Sequence, residues 1–465
     1  MTMQNVLHVL QAFDRAVFAE VREDGPAELE AKLALATKAF QDRDGWLKAH
    51  QRIAILQRTA NLLESRQGGF ARLIAQEGGK PIKDAAVEVI RAIDGLKNAA
   101  EQLRNFAGRE IPMGITPASE GRWAFTTKEP IGVVAAISAF NHPLNLIVHQ
   151  VAPAVAVGCP VIVKPAAATP LSCLELIGLL REAGLDESWC QTLITSDNRL
   201  AESLATDSRI AFLSFIGSAG VGWHLRGRLS AGTRCALEHG GAAPVIVDRS
   251  ADLVRVIEPI VKGGYYHAGQ VCVSVQRIFV HSESFAEFID RLSARVSALK
   301  VGDPLLQDTD VGPLIHPRET DRVLSWVSEA AAGGTRVIGS GRISPTTLAP
   351  SILLNPPQDA RVSQSEIFGP VTCVYGFDDL DDAIQAANSI PYAFQASIFS
   401  SDLAPALRAA QRLDASAVLI NDHTAFRADW MPFAGRRQSG YGVGGIPYSM
   451  TEMSQEKMIL LRHDD

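Results

Sequence analysis

The sequence predicts an α/β protein built as more than one domain, and three observations carry that reading. At 465 residues the chain exceeds what a single hydrophobic core supports. Short continuous apolar runs such as Val161-Ile162-Val163 alternate with stretches whose apolar residues recur at three and four positions, as strands of a parallel sheet joined by helices do. Asn141, Lys164 and Gly217 fall at or just past the ends of such runs, where sheets of this kind bind ligands.

Composition excludes several classes of function. With 47% hydrophobic and 20% charged residues the chain has the make-up of an ordinary folded soluble protein. A net charge of −7 gives no general attraction to nucleic acid or to an anionic membrane. The six cysteines, at 159, 173, 190, 235, 272 and 373, form no CxxC pair and suit neither a zinc site nor a disulfide framework. The opening segment MTMQNVLHVLQAFDR lacks the basic and apolar regions of a secretory signal, and no apolar run reaches membrane-spanning length. The expectation is a cytoplasmic protein without a metal centre.

Taken in order, residues 1–30 are weakly patterned. From about Leu33 to Ala107 the spacing is helical, with Ile53, Leu56, Ala60 and Leu63 on one face and Glu77-Gly78-Gly79-Lys80-Pro81 as a break. Residues 111–128 read as short extended pieces that project from the domain as an interaction arm. Strands are predicted at Ile131–Ile137, Val161–Lys164, Thr192–Ile194 and Ala211–Ile216, with helices over Leu144–Val157 and 171–183. A second α/β series follows Glu238-His239-Gly240-Gly241: strands at 245–247, 273–280, 371–375, 396–399 and 418–420, with a helix over 283–299. The Gly/Pro-rich stretch Pro432–Pro447 ends this unit, and the amphipathic tail Met450–Arg462 is suited to pair with a partner chain.

Several of these places carry chemistry-bearing side chains, each with a plainer alternative. Cys272, in Tyr265-Tyr266-His267-Ala268-Gly269-Gln270-Val271-Cys272, is either a covalent nucleophile in a site that stabilises its thiolate or a small buried hydrophobe. The turn Phe215 to Gly222 follows a strand and opens a helix, so its N–H groups suit a phosphate; it is equally a tight strand-to-helix turn. Lys164 is either a strand-end surface cation or a donor to ribose hydroxyls or phosphate. Glu238 is a solvated loop carboxylate or a general base tuned upward by an apolar pocket. Glu366 is open in the same way.

Taken together, these segments resemble the NAD(P)-dependent aldehyde dehydrogenase superfamily over nearly the whole chain. Phe140-Asn141-His142-Pro143 resembles its oxyanion segment, Val163-Lys164-Pro165 its ribose-binding strand end, and Phe215–Gly222 its Phe-x-Gly-Ser-x-x-Val-Gly turn. Leu237–Gly241 resembles the general-base motif and Gly269–Cys272 the nucleophile motif; Glu366–Val371 and Pro432–Gly435 complete the set in family order. The surrounding text is similar to the lactaldehyde and glyceraldehyde dehydrogenase branch.

The resemblance implies a Rossmann-type cofactor domain (1–110 and 129–240), an α/β catalytic domain (241–445) and a small β oligomerisation arm (111–128 and 446–465). It implies that Cys272 attacks an aldehyde, that Asn141 and the Cys272 N–H hold the oxyanion, and that Glu238 activates water. Lys164 would hold the adenosine ribose and Ser218 the pyrophosphate, with Gly217 and Val221 in the same turn. Glu366 would hold the nicotinamide ribose, with Phe368 packed beside it. Glu238 favours release as a free acid over transfer to coenzyme A. Three residues after Lys164, where many NAD-selective relatives carry glutamate, stands Ala167, so the cofactor is NAD or NADP. His239, His267 and Arg437 depart from the usual leucine, asparagine and lysine.

For the substrate, Arg427 stands where relatives acting on apolar aldehydes place an aromatic residue. A guanidinium there suits an anionic or hydroxylated end, unless it is spent on Asp429 or at the tunnel rim. His142, His423 and Thr424 are further polar candidates, and Val271 argues against a phosphorylated substrate. The expectation is a small polar or acidic aldehyde; the alternatives are an aromatic or aliphatic aldehyde, a catalytically silent homologue, and a cysteine hydrolase. A homodimer or homotetramer is implied, with residues 111–128 and the tail joining a neighbour's sheet.

Overall fold

Strands buried on both faces need helices above and below them, and the chain supplies both. The computed structural model describes residues 6–463, so the first five residues of the N-terminal segment and the last two of the 446–465 segment lie outside it. In the first lobe, Val133–Ile137 is buried at every position and Val161–Lys164 at all but its last. Six strands lie in the order 440–441, 234–238, 210–216, 133–137, 161–164, 190–192, parallel except for the 440–441 edge. Chain order reverses at Val133–Ile137, so a crevice opens beyond its carboxyl end.

Four helices of the 26–102 region correspond to the helical periodicity: Pro26–Gln41, Ala49–Ser65, Gln67–Gly78 and Ile82–Gln102. The predicted break holds because Gly79 takes a left-handed φ of 73° and Pro81 precedes the next helix. Three of these helices pack with Asn145–Val157 and Leu171–Glu182 on one face of the sheet. Pro26–Gln41 and Asn198–Thr206 cover the other.

The second lobe has seven strands in the order 336–339, 351–354, 371–377, 275–281, 243–247, 395–399, 417–420, with only the 336–339 edge antiparallel. Apolar clusters fill both of its faces. Among the described residues no helix is long and apolar enough to cross a membrane.

Several sequence expectations need correction. Residues 6–22, read as weakly patterned, form a hairpin of Val6–Leu10 with Val17–Arg22. The tail strand Ser454–Arg462 pairs along its whole length with Arg122–Pro130 of its own chain, in a three-stranded sheet completed by Glu110–Ile111. It occupies an edge of that sheet. The stretch Pro432–Pro447 does not simply close the second unit: Gly440–Tyr441 adds a strand to the first-lobe sheet. The boundary drawn at 445/446 likewise falls beside helix Ile446–Glu452, whose Ile446 and Met450 are wholly buried in the first-lobe core.

Candidate active site

The nucleophile candidate sits on a strained turn. Helix Leu253–Tyr265 ends in a single turn, Tyr266–Gly269, in which His267, Ala268 and Gly269 have φ of 49°, 55° and 72°. Left-handed backbone at His267 and Ala268 is costly and persists only when its surroundings over-determine it. A Cβ at Gly269 would collide with the Gly369 carbonyl oxygen, which leaves room for glycine alone. The Gln270 side chain clamps the turn: its Nε2 donates to the His267 and Pro313 carbonyls at 3.2 Å each, and its Oε1 accepts the Ile315 N–H at 3.0 Å. Asn141 Nδ2 donates to the Gln270 carbonyl at 2.9 Å, tying the segment after strand Val133–Ile137 to the nucleophile turn.

Cys272 is half-buried and lines a cavity of about 1000 Å³. The same cavity is lined by Asn141, Glu238, Lys164, Gly217 and Ser218, and also by Val221, Glu366, Phe368, His142 and Arg427. Eleven of the twelve sequence-selected site residues thus meet in one space. His423 does not: its ring packs beside Gly263 of the preceding helix and its Nδ1 accepts the Ala425 N–H at 3.2 Å. Thr424 is spent as well, donating its hydroxyl to the Val273 carbonyl at 2.7 Å.

The electrostatics reverse one expectation. Burial pushes the Cys272 thiol up to about 12; Glu238 and Glu366 add to this while Arg427 opposes it. The pocket by itself therefore disfavours the thiolate, because two carboxylates and low polarity face it. Burial also raises the Glu238 carboxyl, against the pull of Arg427. Glu238 ends strand Arg234–Glu238, and Gly444 leaves space beside it that a Cβ would take from its carboxylate. Glu366 is pushed up to about 8 by burial, against the Gly241 N–H that its Oε1 accepts at 3.1 Å. Gly240 is required beneath it, since a Cβ there would meet both Glu366 oxygens.

One limb of the cavity is built by the first lobe. Lys164 closes strand Val161–Lys164 with an ammonium that makes no hydrogen bond or ion pair among the described residues, and Ala166, Ala167 and Ala168 line the wall beyond it. Ser218 precedes helix Ala219–Arg226, and its hydroxyl makes no capping bond. Phe368, at a φ of 49°, sets its ring edge-on to Phe140 at 6.0 Å. His239 lines the wall where its Nδ1–H donates to the Gln438 carbonyl at 2.9 Å, and it leaves Gly222 no room for a side chain.

The opposite limb is polar. Arg427 Nη2 donates to His149 Nδ1 at 3.1 Å, its Cζ lies 3.6 Å from the centre of the Phe433 ring, and its buried Nε has no partner among the described residues. The expected alternative, an Arg427–Asp429 pair, is not formed. Asp429 is held by both ends of the Arg91 guanidinium, at 2.7 and 3.1 Å, and also by His149 and Asn145. His142 Nε2 meets the Tyr266 hydroxyl at 3.2 Å. Arg91 and Tyr266 line this limb and were not singled out from sequence; Arg91 lies on an amphipathic helix where nothing local sets it apart from surface charge.

The model of the aldehyde dehydrogenase family matches residues 2–459. A 3-sulfolactaldehyde dehydrogenase of Priestia aryabhattai is 36% identical over 461 residues, covering 99% of this chain and 96% of the relative. The crystal structure of aldehyde dehydrogenase 21 from Physcomitrella patens in complex with the reaction product succinate superposes with a TM-score of 0.96 at 33% identity, over 99% of this chain and 96% of that one. Glyceraldehyde-3-phosphate dehydrogenase GapN from Methanocaldococcus jannaschii, complexed with NADP, gives 0.94 at 31% identity, over 99% and 100%.

Proposed function

The chain belongs to the aldehyde dehydrogenase family, and on that premise we propose that it oxidises a small polar or acidic aldehyde to the free carboxylic acid with NAD or NADP. The observation that supports this reading most is the convergence on one space of Cys272, Glu238, Asn141 and a cavity-lining Arg427 that forms no ion pair among the described residues. The residues of the first-lobe limb fit a dinucleotide. The Lys164 ammonium makes no hydrogen bond or ion pair among the described residues, Ser218 and the helix start behind Gly217 offer donors to a pyrophosphate, and Glu366 offers a carboxyl to ribose hydroxyls. No carboxylate stands at Ala167 to repel a 2′-phosphate, which supports NADP alongside NAD.

When bound, the nicotinamide accepts the hydride that turns a thiohemiacetal into a thioester. The chain does the rest. Cys272 Sγ gives its proton to solvent water and forms a bond to the aldehyde carbon, and the carbonyl oxygen becomes an oxyanion met by Asn141 Nδ2–H and the Cys272 N–H. Asn141 gives one N–H to Gln270 and keeps the other for the substrate. In deacylation Glu238 takes a proton from water, the oxygen attacks the thioester carbonyl, and the Cys272 sulfur leaves. The raised carboxyl of Glu238 suits that proton transfer near neutral pH.

The names of the relatives, a sulfolactaldehyde dehydrogenase and an enzyme whose product is succinate, support an anionic tail, carboxylate or sulfonate, directed to Arg427. The six free cysteines support a cytoplasmic setting. The open edge of strand Ser454–Arg462 supports assembly as a homodimer or homotetramer. The test of the substrate class is turnover of propanal, lactaldehyde and succinate semialdehyde with each cofactor, read by absorbance of the reduced nicotinamide, in wild type and Arg427→Ala. Loss of a charge-assisted hydrogen bond worth about 1.5–3 kcal/mol lowers kcat/KM for succinate semialdehyde by roughly 10- to 150-fold, with a much smaller effect on propanal. An unchanged preference overturns the role of Arg427.

A further inference from the structure

Behind the cavity wall at Arg427 lies a polar chain whose middle members, His149 and Asp429, are buried and do not line the cavity. It runs from Arg427 through His149 and Asp429 to Arg91. We propose that His149 is a positioning residue: by fixing the guanidinium of Arg427 through a single committed tautomer, it makes that guanidinium a receptor for one anionic group of the substrate. This rests on the substrate class assigned above.

The tautomer follows from hydrogen-bond chemistry. An arginine nitrogen only donates, so the His149 Nδ1 that meets Arg427 Nη2 at 3.1 Å must carry the lone pair. The ring proton is then on Nε2, and it points at Asp429 Oδ1, 2.7 Å away. Asp429 cannot turn to Arg427 instead, because both its oxygens are engaged by Arg91 and Oδ1 also accepts from Asn145 Nδ2. Each member is thereby committed to one role, as metal- or substrate-orienting histidines are when their second nitrogen is occupied.

Charge bookkeeping gives the same answer. Arg91 and Asp429 cancel as a bidentate pair, and His149 is neutral by its tautomer, so the half-buried Arg427 keeps its positive charge without an ion pair among the described residues. Glu238 is near enough to feel that charge but forms no ion pair with it. Phe433 covers the guanidinium from one side, one N–H of Nη2 is given to His149, and the Nε–H is buried without a partner among the described residues. A buried charge left unpaired is strongly unfavourable. One carboxylate or sulfonate on the substrate completes the set, and a neutral aldehyde does not.

The experiment is a kinetic comparison of His149→Leu, His149→Asn and Arg427→Ala with wild type, on propanal, succinate semialdehyde and sulfoacetaldehyde. Asparagine retains an oxygen near the Nδ1 position and restores the acceptor without the imidazole. For His149→Leu, the ratio of kcat/KM for an anionic over the neutral aldehyde falls at least tenfold. That loss falls on KM, with kcat on the anionic aldehyde moving less than threefold, and His149→Asn recovers most of the ratio. Loss with only one of the two anions identifies the tail as carboxylate or sulfonate. Equal loss on all three aldehydes, or no recovery in a folded His149→Asn enzyme, overturns the positioning role. If Arg427→Ala shifts the ratio and His149→Leu does not, this inference fails alone; if neither shifts it, the assigned substrate class fails too.

Discussion

Glu238 lies at a strand end with no hydrogen-bond donor on its carboxylate among the described residues, so its protonation state is set by burial and by Arg427 alone. A carboxyl held this way is poised to take a proton from water, and only deacylation requires it. Glu238→Gln therefore keeps a pre-steady-state burst of reduced nicotinamide while steady turnover falls by ~100-fold or more; a burst lost in step with turnover would refute the assignment. Cys272 differs, since its thiol is held up to about 12 in the unliganded pocket. Its residue type and neighbours were legible in sequence, but the electrostatic sign was not, because burial in the folded pocket sets it first and Glu238 and Glu366 then reach it from distant segments. His149 was hidden for the same reason: its meaning comes from partners 278 and 280 positions away. His423 was misjudged because a polar residue type says nothing of which way its ring turns.

At the scale of elements, the position of Asn141 depends on how the following helix is anchored. Glu88, from helix Ile82–Gln102, accepts the N–H groups of Leu144 and Asn145 at 3.0 and 3.1 Å with one oxygen and pairs with the wholly buried Lys80 through the other. It thus caps Asn145–Val157 and neutralises a cation beneath the site. Glu88→Gln leaves Lys80 charged and unpaired, and the expected cost is about 3–5 kcal/mol of stability, read from the shift of the denaturant midpoint. The double variant Lys80→Met with Glu88→Gln recovers a large part of it; if the single variant is neutral, the pair is no anchor. Continuous apolar strands such as Val133–Ile137 were readable because both faces are buried. The hairpin of residues 6–22 was not, since most of its positions are exposed or half-buried and leave no apolar alternation to read.

For the whole molecule, the three-stranded sheet carries apolar side chains outward on both faces. Trp123 and Leu461, which are cross-strand partners, are 52% and 48% exposed, and Met458 and Leu460 on the other face are 56% and 44% exposed. A patch of this kind on an open sheet edge suits association with another copy. Trp123→Glu with Leu461→Glu lowers the mass measured by light scattering to that of a smaller assembly; an unchanged mass excludes this face. The two-lobe architecture was readable from the sequence, but the connection between its ends was not, because Gly440–Tyr441 and helix Ile446–Glu452 return to a sheet whose other strands all lie between residues 133 and 238.

That return fixes an order of events during synthesis. The strands of the second lobe from 243 to 420 are contiguous and can close as soon as they leave the ribosome, whereas the first lobe, although translated earlier, waits with an uncovered sheet edge and an unfilled core until residues 440–453 emerge. The general-base strand is therefore among the last parts of the molecule to be sealed, and the reactive sulfur is enclosed only once nearly everything else is in place.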